Sequence, residues 1–178
     1  IPTIGITGTN GKTTVTNMLN HVLKLNNLNT EMGGNVGKAL SKIALESMSD
    51  NHQELNWLVL ELSSYQIEGS PKVEPKIGIW TTFTPDHLER HIDIESYFNI
   101  KRSLLEKSSI RIYNSDDKNL SNKRKELPQG IWVGTNNRSS YSYYPKFWVD
   151  KEGYIFEDQK QLFHKSILKI PGNHNLQN

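Results

Sequence analysis

A glycine-rich segment near the amino terminus has the residue types of a phosphate-binding loop. It follows a short β-branched stretch at residues 4–7 and precedes a segment whose apolar residues recur at helical spacing. Backbone N–H groups at a helix N-terminus can surround a phosphate, a lysine can bring positive charge to the β- and γ-phosphates, and a threonine hydroxyl can bind Mg²⁺. The residues predicted to bind the nucleotide here are Gly8, Thr9, Asn10, Gly11, Lys12, Thr13 and Thr14. The strict P-loop pattern places another glycine at position 6, where this chain has isoleucine, so a glycine turn beside a solvent-exposed lysine stays the alternative.

Three more side chains are candidates to work beside this loop. Glu61 ends the apolar run at residues 57–60, and a carboxylate at the carboxyl edge of a parallel strand can hold the Mg²⁺ of a nucleotide. His87 follows the next predicted strand and should emerge at the same edge, although an isolated histidine is more often a surface or core residue than a ligand. Lys101 lies on a predicted helix, where exposure to solvent is the default and an ammonium cannot bind a metal.

The elements that position these residues form an alternating βα pattern. Compact apolar runs predict strands at residues 4–7, 57–62, 77–81, 110–113 and 131–134, and helical stripes predict helices between them, including one at residues 94–107. After residue 136 the short aromatic or β-branched stretches 141–149, 153–156, 162–163 and 167–170 indicate an antiparallel meander. The predicted fold is therefore α/β, with a P-loop, a mostly parallel sheet with flanking helices, and a small antiparallel meander in the C-terminal third.

Composition narrows the class of protein. The chain has 178 residues, which fits one domain or one domain with a small appendage, and 21 Lys and Arg against 19 Asp and Glu give a net charge of +2. With no cysteine, disulfides, thiolate metal sites and cysteine nucleophiles are excluded. The longest apolar run has four residues, far below the roughly 20 of a membrane-spanning helix. A membrane is therefore not expected as a partner. Nucleic acid is not expected either, because the basic triplet 123–125 fits a solvated helix face and the aromatic residues near 141–148 fit the core of a hairpin.

The order of several motifs resembles the Mur ligases, ATP-dependent amide-forming enzymes of peptidoglycan synthesis. The matching segments are GITGTNGKTT at 5–14, GGNVG at 33–37, ELSSYQ at 61–66, TPDHLERH at 84–91, and shorter matches at 97–101, 114–117 and 171–175. Isoleucine at position 6 is itself the form that this family uses. The segment at 61–66 is similar to the branch of the family that adds D-glutamate.

The resemblance implies roles for the candidate residues. Lys12 would bind phosphate, Thr13 and Glu61 a first Mg²⁺, and His87 a second. Lys101 matches the family lysine that CO₂ converts to a carbamate, a carboxylate-like group that can serve the second metal. The positions that match the surroundings of the muramoyl-peptide are Asn35, Ser63, Gln66 and Arg90, and those that match the adenine site are Asn175 and Asn178.

The resemblance also implies a reaction and a domain arrangement. ATP would phosphorylate the carboxylate of UDP-N-acetylmuramoyl-L-alanine, and the amine of D-glutamate would attack the resulting acyl phosphate. Residues 1–178 correspond to the central ATP-binding domain, so we expect a truncated chain whose flanking UDP-binding and C-terminal domains are absent. The enzyme is expected to be cytoplasmic and monomeric, and the isolated domain to bind nucleotide weakly and to catalyse no ligation.

Two alternatives remain at the level of sequence. A folylpolyglutamate synthase or another Mur ligase would share the phosphate loop and the lysine that forms the carbamate. A nucleotide-binding switch module would use the same loop without ligase chemistry, with His87 and Lys101 as surface residues.

Overall fold

Nine strands form one sheet in the computed structural model, which describes residues 1–49, 54–85, 91, 93–169 and 172–177, with the backbone alone for residues 173 and 174. The strand order is β2-β3-β1-β4-β5-β6-β7-β8-β9. All pairings from β2 to β7 are parallel, and β7, β8 and β9 pair antiparallel. The α/β class, the mostly parallel sheet and the C-terminal meander are thereby confirmed.

The elements alternate along the chain as far as β6. The strands are β1 Thr3–Thr7, β2 Thr30–Gly34, β3 Trp57–Glu61, β4 Ile77–Trp80, β5 Ile110–Asn114, β6 Ile131–Val133, β7 Phe147–Val149, β8 Tyr154–Glu157 and β9 Lys160–His164. The α-helices are α1 Lys12–Leu25, α2 Leu40–Ser47, α3 Ser64–Gly69, α4 Ile94–Glu106, α5 Lys118–Asn122 and α6 Asn173–Gln177. Short 3₁₀ turns span Arg124–Glu126, Arg138–Ser140 and Lys165–Ile167.

The sheet carries a core on each face. On one face, Ile4 and Ile6 of β1 pack with Val59 of β3 and Val15 of α1. On the other face, a larger cluster joins β3, β4, β5 and β6 to α3, α4 and α5, and its buried aromatic members are Trp80, Phe83, Tyr97, Phe98, Tyr113 and Trp132. Helices α1 and α4 therefore lie on opposite faces of the sheet at strand β1.

Several elements differ from the sequence prediction. Strand β2 and helix α3 were not predicted, because β2 ends in two glycines and α3 has only six residues. The meander is shorter than predicted: residues 141–146 precede β7 without forming a strand. Of the predicted stretch 167–170, Ile167 ends a 3₁₀ turn and residues 168–169 form no strand. In addition, β7 pairs parallel with β6, so only its other edge is antiparallel.

Candidate functional site

The site lies where the direction of the chain crossovers reverses. From β1 the chain runs through α1 toward β2 on one side of the sheet, and from β4 it runs through α4 to β5 on the other side. Strands β1 and β4 are neighbours, so their carboxyl ends border the crevice in which α/β sheets bind ligands. The phosphate loop follows β1, and residues 81–85 follow β4.

The phosphate loop needs glycine at two positions. Gly8 has φ +148° and a Cβ there would lie 2.0 Å from Thr81 Oγ1, while Gly11 has φ +84° and directly precedes α1. The Lys12 Nζ donates to the carbonyl oxygens of Gly8 at 3.0 Å and Thr9 at 2.9 Å, so its ammonium group lies over the loop. The backbone thus presents a helix N-terminus and a cation to the same space, which is the arrangement that binds phosphate.

Glu61 lies beside the loop with its carboxylate fixed. It is the last residue of β3 and pairs in register with Ile6 of β1, and it is 1% exposed. Thr13 Oγ1 donates to Glu61 Oε2 at 2.8 Å, and Asn35 Nδ2 donates to Oε1 at 2.8 Å. Both donors are neutral, and no ion pair to Glu61 occurs among the described residues.

This donor set fits a magnesium ion. A buried carboxylate is costly without a compensating cation, and Mg²⁺ prefers carboxylate and hydroxyl oxygens together with phosphate oxygens. Thr13 lies in the first turn of α1, so its hydroxyl and the Glu61 oxygen bonded to it lie at the helix N-terminus that follows the phosphate loop. In the part of the chain that is described, no three His, Asp or Glu side chains cluster.

Lys101 is buried, in contrast to the exposed position expected for a helical lysine. It lies on the inward stripe of α4 with Tyr97 and Leu104 and is 1% exposed. Its Nζ donates to Gly8 O at 3.1 Å and to Thr7 Oγ1 at 3.3 Å, and lies 4.6 Å from the centroid of the Tyr97 ring. Lys12 and Lys101 therefore share the carbonyl of Gly8, which puts their nitrogens no more than 6.1 Å apart.

The other predicted positions are placed unevenly around this centre. Asn35 bonds to Glu61 twice: its side-chain amide donates to the carboxylate, and its backbone N–H donates to the Glu61 carbonyl oxygen at 2.9 Å. Ser63 and Gln66 form a capping box at the start of α3, with Gln66 Oε1 accepting from the Ser63 N–H at 3.0 Å. The hydrogen bonds between these two side chains therefore cap a helix that begins just after Glu61. The predicted positions His87, Arg90 and Asn178 lie outside the described residues.

Asn175 lies on α6 at the same edge of the sheet. Gln177 of this helix borders a cavity of about 270 Å³ together with Thr81 and Asn114, which follow or end strands β4 and β5. The cavity is lined mainly by apolar side chains of α1 and the sheet, away from the polar centre formed by Glu61 and Lys101. Helix α6, which carries Asn175, thus approaches the carboxyl edge of the sheet beside α1.

A set of threonines holds the loop, and the sequence prediction did not include it. The Thr9 N–H donates to Thr82 O at 2.9 Å, and the Asn10 N–H donates to Thr82 Oγ1 at 2.8 Å. The Thr81 hydroxyl donates to Asn10 O at 2.5 Å, and Thr84 exchanges two hydrogen bonds with the Thr9 hydroxyl. The signal available in the sequence was the run Thr81-Thr82 and Thr84 directly after a buried strand beside a predicted glycine loop.

Comparison with known proteins decides the family. Residues 6–178 match the Mur ligase middle domain, which is nearly the whole chain. The chain belongs to the Mur ligase family. This Mur ligase domain has no helix, within the residues described, of the length and apolarity needed to cross a membrane.

Two similar curated proteins are longer than this Mur ligase domain. It is 83% identical over 178 residues to a UDP-N-acetylmuramoylalanine–D-glutamate ligase of Prochlorococcus marinus strain NATL2A, covering all of this chain and 38% of that protein. It is 48% identical to the ligase of the same name from Synechococcus sp. strain CC9605, again over 178 residues, covering all of this chain and 39% of that protein. The chain therefore spans about two fifths of the length of these relatives.

Solved structures confirm the fold of the Mur ligase domain. MurF from Acinetobacter baumannii aligns with TM-score 0.69 at 17% identity, covering 99% of this chain and 40% of that one. MurC from Thermotoga maritima aligns with TM-score 0.67 at 21% identity, covering 99% of this chain and 39% of that one. At these identities the likeness concerns the fold alone.

Proposed function

We propose that this chain is the ATP-binding domain of a cytoplasmic ligase that joins D-glutamate to UDP-N-acetylmuramoyl-L-alanine. The observation that carries the proposal is the assembly of Thr13, Glu61 and Lys101 around one phosphate loop at the crevice between β1 and β4. The specific acceptor and amino acid are supported by the names of the relatives, one of them 83% identical. The enzyme is proposed to act as a monomer, without nucleic acid or membrane partners.

The chemistry asks the domain to position ATP and to balance charge. The carboxylate of the acceptor attacks the γ-phosphorus, the bond to ADP breaks, and the D-glutamate amine then displaces phosphate from the acyl phosphate to form the amide. Loop N–H groups and the Lys12 ammonium would bind the phosphate oxygens, and Thr13 with Glu61 would hold Mg²⁺. Bound there, Mg²⁺ would neutralise negative charge on the phosphates as it develops during transfer.

Lys101 is proposed to react with CO₂. The ammonium would first lose a proton, and the neutral amine would then add to the carbon of CO₂ and release a second proton, so that a cation becomes a carbamate anion with one N–H retained. Burial at 1% exposure keeps water from the product, and the change removes one of two positive charges that share the Gly8 carbonyl. With His87, which lies outside the described residues, the carbamate would serve the second of two Mg²⁺ ions.

The remaining predicted positions complete the proposal. Asn35, Ser63, Gln66 and Arg90 would line the path of the muramoyl-peptide. Asn175 and Asn178 would pair with the polar edge of adenine, since carboxamides offer both a donor and an acceptor. The location of α6 at the carboxyl edge supports the adenine role of Asn175.

The decisive experiment measures the coupling of ATP cleavage to the acceptor. A full-length ligase carrying this chain as its middle domain should release ADP only when UDP-N-acetylmuramoyl-L-alanine is present, and should form amide product only with D-glutamate. Lys12→Ala should abolish both. ADP release that is independent of the acceptor would instead support a nucleotide-binding switch and would refute the ligase proposal.

A further inference from the structure

Two elements hydrogen-bond to the turn after β4: the phosphate loop and helix α5. Helix α5 carries no predicted site residue. The Thr9 hydroxyl of the phosphate loop donates to Thr84 O at 3.1 Å and accepts from the Thr84 N–H at 3.0 Å. A single side chain thus binds both polar backbone groups of one residue. The position of Thr9 in the loop therefore depends on where the backbone of Thr84 lies.

Helix α5 holds the adjoining residue in the same way. The Phe83 N–H donates to Asp117 Oδ2 at 2.8 Å, and Asn119 Nδ2 donates to Phe83 O at 2.8 Å. Both polar backbone groups of Phe83 are thus bound by side chains of one helix turn. Its ring is 2% exposed and packs against Trp80 and Tyr97, which limits rotation of the residue.

Asp117 also caps helix α5, a role that can be separated from its hydrogen bond to Phe83. Its other oxygen, Oδ1, accepts from the Leu120 N–H at 2.8 Å as the N-cap of α5. Asn119 does not cap the helix: it is an exposed residue, and its side-chain amide donates to Phe83 O. The contact of Asn119 with Phe83 can therefore be removed without loss of the helix cap.

We propose that Asn119 and Asp117 are positioning residues for the phosphate loop, acting through Phe83 and Thr84 on Thr9. Among the residues that the structure describes, neither side chain forms a hydrogen bond to the phosphate loop, so the effect would be transmitted by the consecutive backbone units of Phe83 and Thr84. Loosening this connection lowers the fraction of molecules whose loop is ready for phosphate, and apparent affinity falls by that fraction. The inference rests on the proposed use of the loop for ATP.

The test compares substitutions in a full-length ligase carrying this chain. Asn119→Ala removes the donor to Phe83, and Asp117→Ser retains a good helix cap but is too short to reach the Phe83 N–H. Each should raise the KM for ATP about three- to tenfold, the effect of one lost hydrogen bond, and leave the KM values for the acceptor and D-glutamate unchanged.

Ser121→Ala is the matched control. Ser121 is also on α5 and its hydroxyl bonds to Ser115 O at 2.8 Å and Tyr143 OH at 3.1 Å, away from Phe83. Ser121→Ala should lower the Tm by about as much as Asn119→Ala and Asp117→Ser do, but should leave the KM for ATP unchanged. Equal KM values for ATP in all three variants and the parent would overturn the inference while the proposed function stands, whereas a parent with no ATP dependence would overturn both.

A double substitution tests the route itself. Thr9→Val removes the hydroxyl that binds Thr84 and keeps the shape of the side chain. If the effect travels through Thr84, adding Asn119→Ala to Thr9→Val should raise the KM for ATP less than twofold further. Effects that multiply in full would show that Asn119 acts by another path and would refute the proposed route.

Discussion

Glu61 is a buried carboxylate held by two neutral donors, and that combination has a testable cost. In the absence of metal its charge is desolvated and has no cationic partner among the residues that the structure describes, so Glu61→Gln should leave the free energy of unfolding equal or higher. With metal the charge is needed, and the same variant should bind ADP about tenfold or more weakly in the presence of Mg²⁺.

Titration calorimetry with and without Mg²⁺ separates the two effects of Glu61→Gln. Binding of ADP in EDTA should be the same for parent and variant, because only the metal-dependent part is lost. Thr13→Ser retains the hydroxyl that donates to Glu61 and should keep most of the Mg²⁺ dependence. A variant at position 61 that binds Mg²⁺ and ADP as tightly as the parent would remove Glu61 from the metal site.

Some of these side chains could be assigned to the site from residue types and their order, whereas others are brought together only by the folded topology. Glu61 was predicted beside the loop because parallel strands end at one edge, and the structure places it there. Burial of Lys101 was not predicted from the residue, although Tyr97 and Leu104 mark the same stripe of α4 as inward-facing. The contacts of Asp117 with Phe83 depend on a separation of 34 residues that no local pattern encodes.

At the scale of elements, the phosphate loop is fixed by backbone geometry that only glycine adopts easily. Gly8→Ala would place a Cβ 2.0 Å from Thr81 Oγ1 at φ +148°, so we expect a loss of about 2–3 kcal/mol in the free energy of unfolding. Gly69→Ala is the matched control, since a Cβ there meets nothing within 4 Å and the residue ends helix α3. Urea unfolding should show Gly69→Ala unchanged or slightly more stable.

Helix α4, which carries Lys101, begins with a titratable cap, so we expect its N-terminus to lose stability in acid. The Ser96 N–H donates to Asp93 Oδ1 at 2.7 Å, and this hydrogen bond, together with the Ser96 side chain, lowers the pKa of Asp93 from 3.8. The folded state binds fewer protons here than the unfolded state, so this stabilisation is present above pH 3.8 and is lost as pH falls through the lower folded value.

Asp93→Asn isolates this contribution, because asparagine caps a helix without titrating. Between pH 5 and about pH 3, urea unfolding should show a smaller loss of stability in the variant than in the parent. Identical pH profiles would mean that Asp93 has the same pKa in the folded and unfolded chain.

The elements differ in how far local sequence determined them. Strands β1, β3, β4 and β5 were predicted from their apolar runs, and helix α4 from its stripe, because burial on both sheet faces leaves a strong pattern. Strand β2 lacks that pattern: it is an edge strand, it ends in Gly33 and Gly34, and its pairing with β3 supplies the order that its own residues do not. Helix α3 is stabilised by the capping box of Ser63 and Gln66, a signal that the prediction did not use.

At the scale of the whole molecule, the two faces of the sheet meet at one carbonyl group. Lys12 belongs to α1 on one face and Lys101 to α4 on the other, and both donate to Gly8 O. A ligand bound to the loop is therefore linked to the cores on both sides of β1. Stabilisation by nucleotide should extend through the domain instead of ending at the loop.

Thermal unfolding of this chain with Mg²⁺ and ADP tests that expectation. A ligand at 100 times its dissociation constant adds about 2.7 kcal/mol of stability, which for a domain of this size is a rise in Tm of about 5–10 °C. Lys12→Ala should remove the rise, and hydrogen exchange should slow in α1 and α4 together when ADP binds to the parent chain. Slowing confined to α1 would show that the shared carbonyl does not couple the two faces, because a ligand sensed by α1 alone leaves the opening of α4 unchanged.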